Sequence, residues 1–494
     1  MSDIPDDYAD IPYESCAHPK SHPSSLAAVA SLFGMEPCSL RDGARVLEIG
    51  CAVGGNLLPM AAMYPASHFT GIDLSSVQIT KARAAADELG LGNVTFYALG
   101  LEDLGPDNGA WDYIIAHGVY SWVAAPVRDK LMALCGRLLN PMGVACLSYN
   151  TLPGSAARAA LRGMVQFHTR HAGTLEAKVA GARELFAFLE PAFRDRPDGG
   201  GRAMGEELAH LREVGDFYIA HEHLERTNDP CYFHEFISHA SRRGLRFLAE
   251  AEIHTMSSAG FPDEVRAGLR QMASNAEEAE QYGDFVRNRS FRQTLLCRAG
   301  VDVKRSISPD RVRHLHFASS LEPLLLQSPG AQAGAQARPQ FRDPDGAVIQ
   351  ARDSLTAAAL RELHAVWPAM LSFPDLLAKA AAACGVPAGP QEAAALGSSL
   401  LLCLSLSRGV EFRLHPAAFQ ATVSTRPSTH PYCRWQASRG ARITSLTHQE
   451  LLLGPRERQL LGRLDGTRSI AELETEFPDA AALLKRFAEN ALLV

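Results

Sequence analysis

The chain has 494 residues, about three domains' worth at roughly 150 residues each. Apolar residues make up 46% and charged residues 21%, a globular composition that excludes a wholly disordered or collagen-like chain. Against 48 Lys and Arg stand 55 Asp and Glu, so the net charge is −7 and the basic footprint of a protein that grips nucleic acid by its phosphates is missing.

In chain order, residues 1–41 form an N-terminal segment in which Tyr13 and His22 are candidates for a lid, and His22-Pro23 also reads as a helix start. The opening Met1–Tyr8 is acidic and lacks an apolar core, so it is not a signal peptide. Residues 42–154 alternate short apolar strands (45–50, 68–73, 94–99, 111–116 and 143–149) with amphipathic helices (75–89 and 127–139). That alternation predicts a parallel sheet covered on both faces. Residues 155–228 read as a helical insertion, with a glycine-rich joint at 194–202. In 229–300 a helix at 233–243 precedes two further strands, 245–253 and 291–299, which completes a seven-stranded sheet. A mainly helical middle domain, 301–430, contains linker composition at 328–339 and helical patterns at 357–367 and 373–383, and 431–494 form a small tail. No run reaches the ~20 apolar residues of a membrane span; the most apolar one, 394–406, is broken by Gly397, Ser398, Ser399 and Ser405. The 10 cysteines form no Cys-x-x-Cys pair and read as reduced thiols of a cytoplasmic protein.

The central chemical signal is Val46-Leu-Glu48-Ile-Gly50-Cys51-Ala52-Val-Gly54-Gly55-Asn56, a strand entering a glycine-rich turn that opens a helix. Such a turn lets backbone approach a ligand and leaves amide donors at the helix start. The next strand ends in Gly71-Ile-Asp73-Leu74, and an acid there suits two ribose hydroxyls. The second glycine of a dinucleotide fingerprint is replaced by Ala52, and no Gly-Lys-Ser/Thr of a phosphate loop follows. Glu48 repels a pyrophosphate but suits a cationic amino-acid group, as in S-adenosylmethionine with its sulfonium and α-ammonium. A metal is not expected: His234-Glu235-Phe-Ile-Ser-His239 spaces its histidines by five rather than four, on different helix faces.

Further words extend the pattern: Ser21-His22-Pro23, Asp112-Tyr-Ile-Ile-Ala-His117-Gly118-Val119-Tyr120-Ser121-Trp122, Ser148-Tyr149-Asn150-Thr-Leu-Pro-Gly154, Tyr232-Phe-His234-Glu235-Phe236 and Gln281-Tyr-Gly-Asp-Phe285. With the glycine turn, these resemble the class I S-adenosylmethionine-dependent methyltransferases. The closer resemblance is to a bacterial subgroup with a methyltransferase regulatory domain, which includes rickettsial lysine methyltransferases of an outer-membrane protein. It implies a Rossmann-like seven-stranded core with a helical insertion, and a cofactor that leaves as S-adenosylhomocysteine. It also implies that Glu48, Gly50, Cys51, Ala52, Gly54 and Asn56 surround the methionine end. Asp73 then takes the ribose, Leu74 the adenine, and Gln78 either. Leu101 and Glu102 edge the adenine, the usual Asp of that loop being replaced by Gly100. His117 and Gly118 approach the methionine group. The acceptor side is assigned to Tyr120, Trp122, Tyr149 and Asn150, at the ends of the fourth and fifth strands. The tail, with His448-Gln-Glu-Leu-Leu-Leu453 and 457–473, resembles winged-helix modules that bind peptides, and the rickettsial relatives suggest a homodimer.

The acceptor this implies is a protein lysine, with an envelope protein before export as one candidate and nucleic acid disfavoured. The rival readings are a small-molecule O- or N-methyltransferase and a non-catalytic peptide-binding scaffold.

Overall fold

The computed structural model describes residues 15–104, 109–194, 196, 198–324 and 338–494. Tyr13 and all but the last two residues of the 328–339 linker lie outside them.

Seven strands form one sheet: β1 (Arg45–Ile49), β2 (His68–Asp73), β3 (Val94–Ala98), β4 (Trp111–Ala116), β5 (Leu139–Asn150), β6 (Leu245–Glu250) and β7 (Phe291–Arg298). Their order is β3-β2-β1-β4-β5-β7-β6. The first five are parallel, and β7 runs antiparallel to both β5 and β6. The strands carry apolar residues on both faces: Val46, Tyr113, Ile115 and Cys146 belong to one buried cluster, Leu47, Ile49, Ile114 and Leu147 to the other. Chain order reverses direction between β1 and β4, which puts the switch point, where open α/β sheets form their ligand crevice, at the carboxyl ends of these two strands.

Helices α1 (Pro23–Leu32), α2 (Leu57–Met63), α3 (Ser76–Glu88) and α4 (Ala125–Leu138) flank the sheet. His22 caps α1 with its side chain, accepting from the Ser24 amide, and Pro23 takes the first helical position, so the His22-Pro23 helix start holds. The fifth strand begins at Leu139, earlier than residue 143, because Leu139 pairs with Trp111 ahead of a register irregularity. The sixth ends at Glu250 rather than 253, where the chain enters a short helical turn, Ile253–Met256.

The insertion comprises α5 (Ala156–His168), α6 (Leu175–Phe193), α7 (Gly199–Glu213) and α8 (Asp216–Ile219), the last running into a π-helical turn, Ala220–Leu224. It has its own small core of Leu161, Val165, Ala182, Phe186, Leu208, Leu211 and Ile219. The glycine run 199–201 starts α7, where Asp198 caps the Gly201 amide at 2.8 Å. Then follow α9 (Phe233–Arg242), α10 (Asp263–Met272) and α11 (Ala276–Arg287).

Among its described residues the middle region holds three α-helices, Ser354–Val366, Phe373–Cys384 and Pro390–Leu406, and two three-stranded sheets that composition did not announce. Strands such as Leu371–Ser372 and Glu322–Leu324 are too short to show a two-residue period. The tail packs helices Pro431–Ala437, Pro455–Gly462, Ile470–Glu476 and Ala480–Glu489 around the hairpin Arg442–Thr444/Glu450–Leu452, with a separate core. Trp435 Nε1 ties it to α3 by donating to Glu88 Oε2 at 2.8 Å. No helix among the described residues is long and apolar enough to cross a membrane.

Candidate functional site

The glycine turn is folded against β2. The Gly50 and Cys51 amides both donate to the Ile72 carbonyl, at 2.8 and 3.1 Å. Gly50 and Gly54 have φ of 75° and 79°, and Ala52, where a dinucleotide loop has its second glycine, takes φ 47° despite its Cβ. At Gly54 a Cβ would stand 2.7 Å from the Phe96 ring, so no larger residue fits that turn. Asp73 locks the turn: its Oδ2 accepts from the Ala52 amide at 3.0 Å and its Oδ1 from Ser75 at 2.9 Å. Each oxygen keeps a lone pair for a further hydroxyl donor. Leu74 stands 68% exposed beside it, an uncovered apolar surface at the crevice.

Glu48 is buried, and its Oε1 accepts from Asn56 Nδ2 at 2.7 Å. Its Oε2 is buried without a hydrogen-bond partner among the described residues, as is Gln78 Oε1 in the first turn of α3. Burial pushes the Glu48 carboxyl up to about 8, opposed by the Asn56 hydrogen bond and assisted by the Asp73 charge. A buried carboxylate oxygen without a partner beside an open glycine turn fits a cationic amino-acid group; a second anion there would be repelled.

His117 and Gly118 form the turn directly after β4. The Gly118 amide donates to Ser148 Oγ at 2.7 Å, and Gln293 Nε2 reaches His117 Nδ1 at 3.3 Å. His117 stacks on His18 with ring centroids 3.9 Å apart. Burial lowers the two imidazoles to about 3 and about 4, so both are neutral at pH 7. The N-terminal segment crosses the turn here, with Ser15 Oγ accepting from the Gly55 amide at 2.9 Å. Leu101 is buried in the loop after β3, while Glu102 is exposed and 3.8 Å from Lys130.

The acceptor-side candidates separate into two groups. Tyr120 and Tyr149 turn into the core: Tyr149 stacks on Phe236 at 4.0 Å and bonds Thr294 Oγ1 at 3.1 Å. The Tyr120 hydroxyl meets His239 Nδ1 at 2.9 Å, and His239 Nε2 meets Asp129 Oδ1 at 3.1 Å. Burial raises both phenols. Asn150 ends β5, its Nδ2 donating to Asn228 Oδ1 at 2.9 Å, and Trp122 is half-buried in the turn after β4. His234 and His239 bond different partners, Gln281 and the Tyr120–Asp129 pair.

Sequence reading missed Ser15, His18, Ser148 and Gln293, which are polar residues at strand ends and turns. It also missed His448, which reaches the site from the tail: its Nε2 lies 2.8 Å from Asn56 Oδ1. Beside the site, Arg292 is fully buried among acids, 2.6 Å from Glu250 Oε1, 3.0 Å from Glu280 Oε2 and 2.8 Å from Asp284. Its guanidinium lies over the Phe233 ring, 3.9 Å from the centroid. Burial raises the Glu280 carboxyl to about 7 even so.

Known families and structures agree with this geometry. Residues 46–143 match a methyltransferase domain, 215–298 a predicted methyltransferase regulatory domain and 425–492 the PKMT C-terminal winged helix domain. Two uncharacterized proteins of Rickettsia prowazekii are similar. RP789 is 36% identical over 316 residues, 64% of this chain and 57% of that protein; RP028 is 36% identical over 241 residues, 49% of this chain and 96% of that protein. The chain thus spans little more than half the length of RP789. The structure of PKMT2 from Rickettsia typhi in complex with AdoHcy superposes with a TM-score of 0.86 at 27% identity, covering 98% of this chain and 100% of that one. The chain belongs to the class I, S-adenosylmethionine-dependent methyltransferases that carry a methyltransferase regulatory domain.

Proposed function

We propose that this protein transfers a methyl group from S-adenosylmethionine to lysine side chains of a protein. The observation that carries the reading is the whole-length likeness to PKMT2, which extends beyond the methyltransferase sheet through the winged-helix tail. Bound in the crevice, the cofactor supplies a methyl on a sulfonium, open to in-line displacement by a neutral amine.

The chain's own residues bind, orient and exclude water. Glu48 Oε2 receives the α-ammonium, the Asp73 carboxylate takes the ribose hydroxyls, Leu74 lies along the adenine, and Gln78 and the Leu101–Glu102 loop edge it. Gly50, Cys51, Ala52 and Gly54 bring backbone close to the methionine end, with His117 and Gly118 opposite. The neutral His18–His117 stack adds no cation beside a sulfonium. On the acceptor side Asn150 and Trp122 border the incoming amine, and Tyr120 and Tyr149 hold the wall behind them. An unperturbed lysine has a pKa of ~10.4. Removing that amine from water favours its neutral, nucleophilic form, and alignment supplies most of the rate.

Tritiated cofactor incubated with the protein and with cell-envelope or soluble fractions is expected to yield methyl-lysine on amino-acid analysis. Label confined to lipid or metabolites would refute the lysine assignment. The same proposal includes a homodimer through the insertion, where Phe167 and Phe188 are 66% and 75% exposed on neighbouring helices. A Phe188→Glu variant is expected to sediment as a monomer; an unchanged sedimentation coefficient would remove that interface.

A further inference from the structure

Asn56 opens α2 directly after the glycine turn, and its amide is fully committed. Oδ1 accepts from the His18 backbone amide at 2.9 Å, which fixes which end of the amide is oxygen. Nδ2 therefore faces Glu48 Oε1 at 2.7 Å and Ser21 Oγ at 3.3 Å as a donor. The remaining contact, 2.8 Å from Oδ1 to His448 Nε2, has to be a donation from the imidazole. Burial and the Arg413 guanidinium push the His448 ring down to about 3, so it is neutral and its single N–H sits on Nε2. Its Nδ1 is left buried without a partner among the described residues.

His448 is placed there by construction. It sits in the turn of the tail hairpin with φ 67°, its amide donating to the Ser445 carbonyl at 2.9 Å. Arg413 of the middle region braces the turn by donating to the Thr447 carbonyl at 2.9 Å. The His22 ring lies 4.8 Å from the His448 ring. A residue 392 positions along the chain from Asn56 thus enters a buried joint against the glycine turn.

We infer that His448 is a positioning residue of the methyl-donor site: by holding the Asn56 amide it aims Glu48, whose unpartnered Oε2 receives the donor's ammonium. The winged-helix tail is then a component of the donor pocket. By thermodynamic reciprocity, docking of the hairpin and binding of the donor strengthen each other. This inference rests on the glycine turn being the donor site.

The test is calorimetric titration of the full chain with S-adenosylhomocysteine. His448→Leu is expected to bind about tenfold more weakly, the worth of one buried hydrogen bond, and His448→Gln, which keeps an N–H donor, is expected to recover most of the affinity. In the unaltered protein S-adenosylhomocysteine is expected to slow amide exchange in residues 445–449, a readout that does not depend on the variants folding. Unaltered chain that takes up no S-adenosylhomocysteine overturns the donor-site reading itself. Unaltered chain that binds it, with His448→Leu binding equally or with exchange at 445–449 unmoved, overturns the role of His448 alone.

Discussion

Glu48→Gln is the sharpest test of the donor site, because stability and binding are expected to move in opposite directions. In the cofactor-free protein burial raises the Glu48 carboxyl from 4.5 to about 8. A carboxyl raised on folding contributes stability that is fully present below its unfolded value and lost as the pH rises through its folded value. By linkage, the rise from 4.5 to about 8 is worth roughly 5 kcal/mol between pH 4.5 and pH 8. Glutamine escapes that loss. Its carbonyl still accepts from Asn56, but its amide nitrogen replaces the unpartnered Oε2, and an unpaired buried donor costs about 1–3 kcal/mol. The variant is therefore expected to be slightly less stable than the unaltered chain at pH 5 and about 2–4 kcal/mol more stable at pH 8.5, measured by urea unfolding without cofactor. In calorimetry at pH 8.5 it is expected to lose at least 100-fold in S-adenosylhomocysteine affinity, since removing one partner of a buried charge pair costs about 3–5 kcal/mol. A variant destabilised equally at both pH values, or one that binds as the unaltered chain does, would refute the reasoning: Glu48 would then be a satisfied structural acid.

Other substitutions probe other parts of the same frame. Asp73→Ala frees the Ala52 and Ser75 amides as well as the ribose acceptor, so calorimetry should detect no cofactor binding; retained affinity would mean the ribose lies elsewhere. Arg292→Met leaves Glu250, Glu280 and Asp284 without the buried cation that all three contact. It should cost about 3–5 kcal/mol in urea unfolding at pH 8 and less at pH 5, where the acids can take up protons; an unchanged midpoint at pH 8 would show the cluster to be dispensable. Gly136→Ala places a Cβ 2.0 Å from the Arg243 carbonyl oxygen, and forcing α4 from α9 should lower stability by at least the ~1–3 kcal/mol typical of overpacking. A melting temperature equal to that of the unaltered chain would contradict this.

The glycine turn and the acid proposed to hold the donor were legible because they are built locally. A strand, its glycine turn and the acid ending the next strand are contiguous words. Their chemistry follows from backbone conformations that Gly50 and Gly54 make accessible, and the alternation of short apolar runs with amphipathic helices foretold the seven strands. The acceptor half was less legible. Tyr149 lies on β5, whose two faces alternate without spacing saying which turns to the crevice, and Tyr120 lies in the turn after β4, so both read as acceptor residues although their hydroxyls bond Thr294 and His239 inside the core.

Sequence by itself thus determined the sheet, the turn and the acid pair that suit a sulfonium nucleoside, since each depends on neighbours within a few residues along the chain. Tertiary structure alone decided what closes around them. The His18 ring against His117, the Arg292 cluster between β6, β7 and α11, and the tail's His448 against Asn56 each join residues that no local period relates. Such contacts arise when separately folded elements bury their apolar faces together and the polar groups caught between them must find partners.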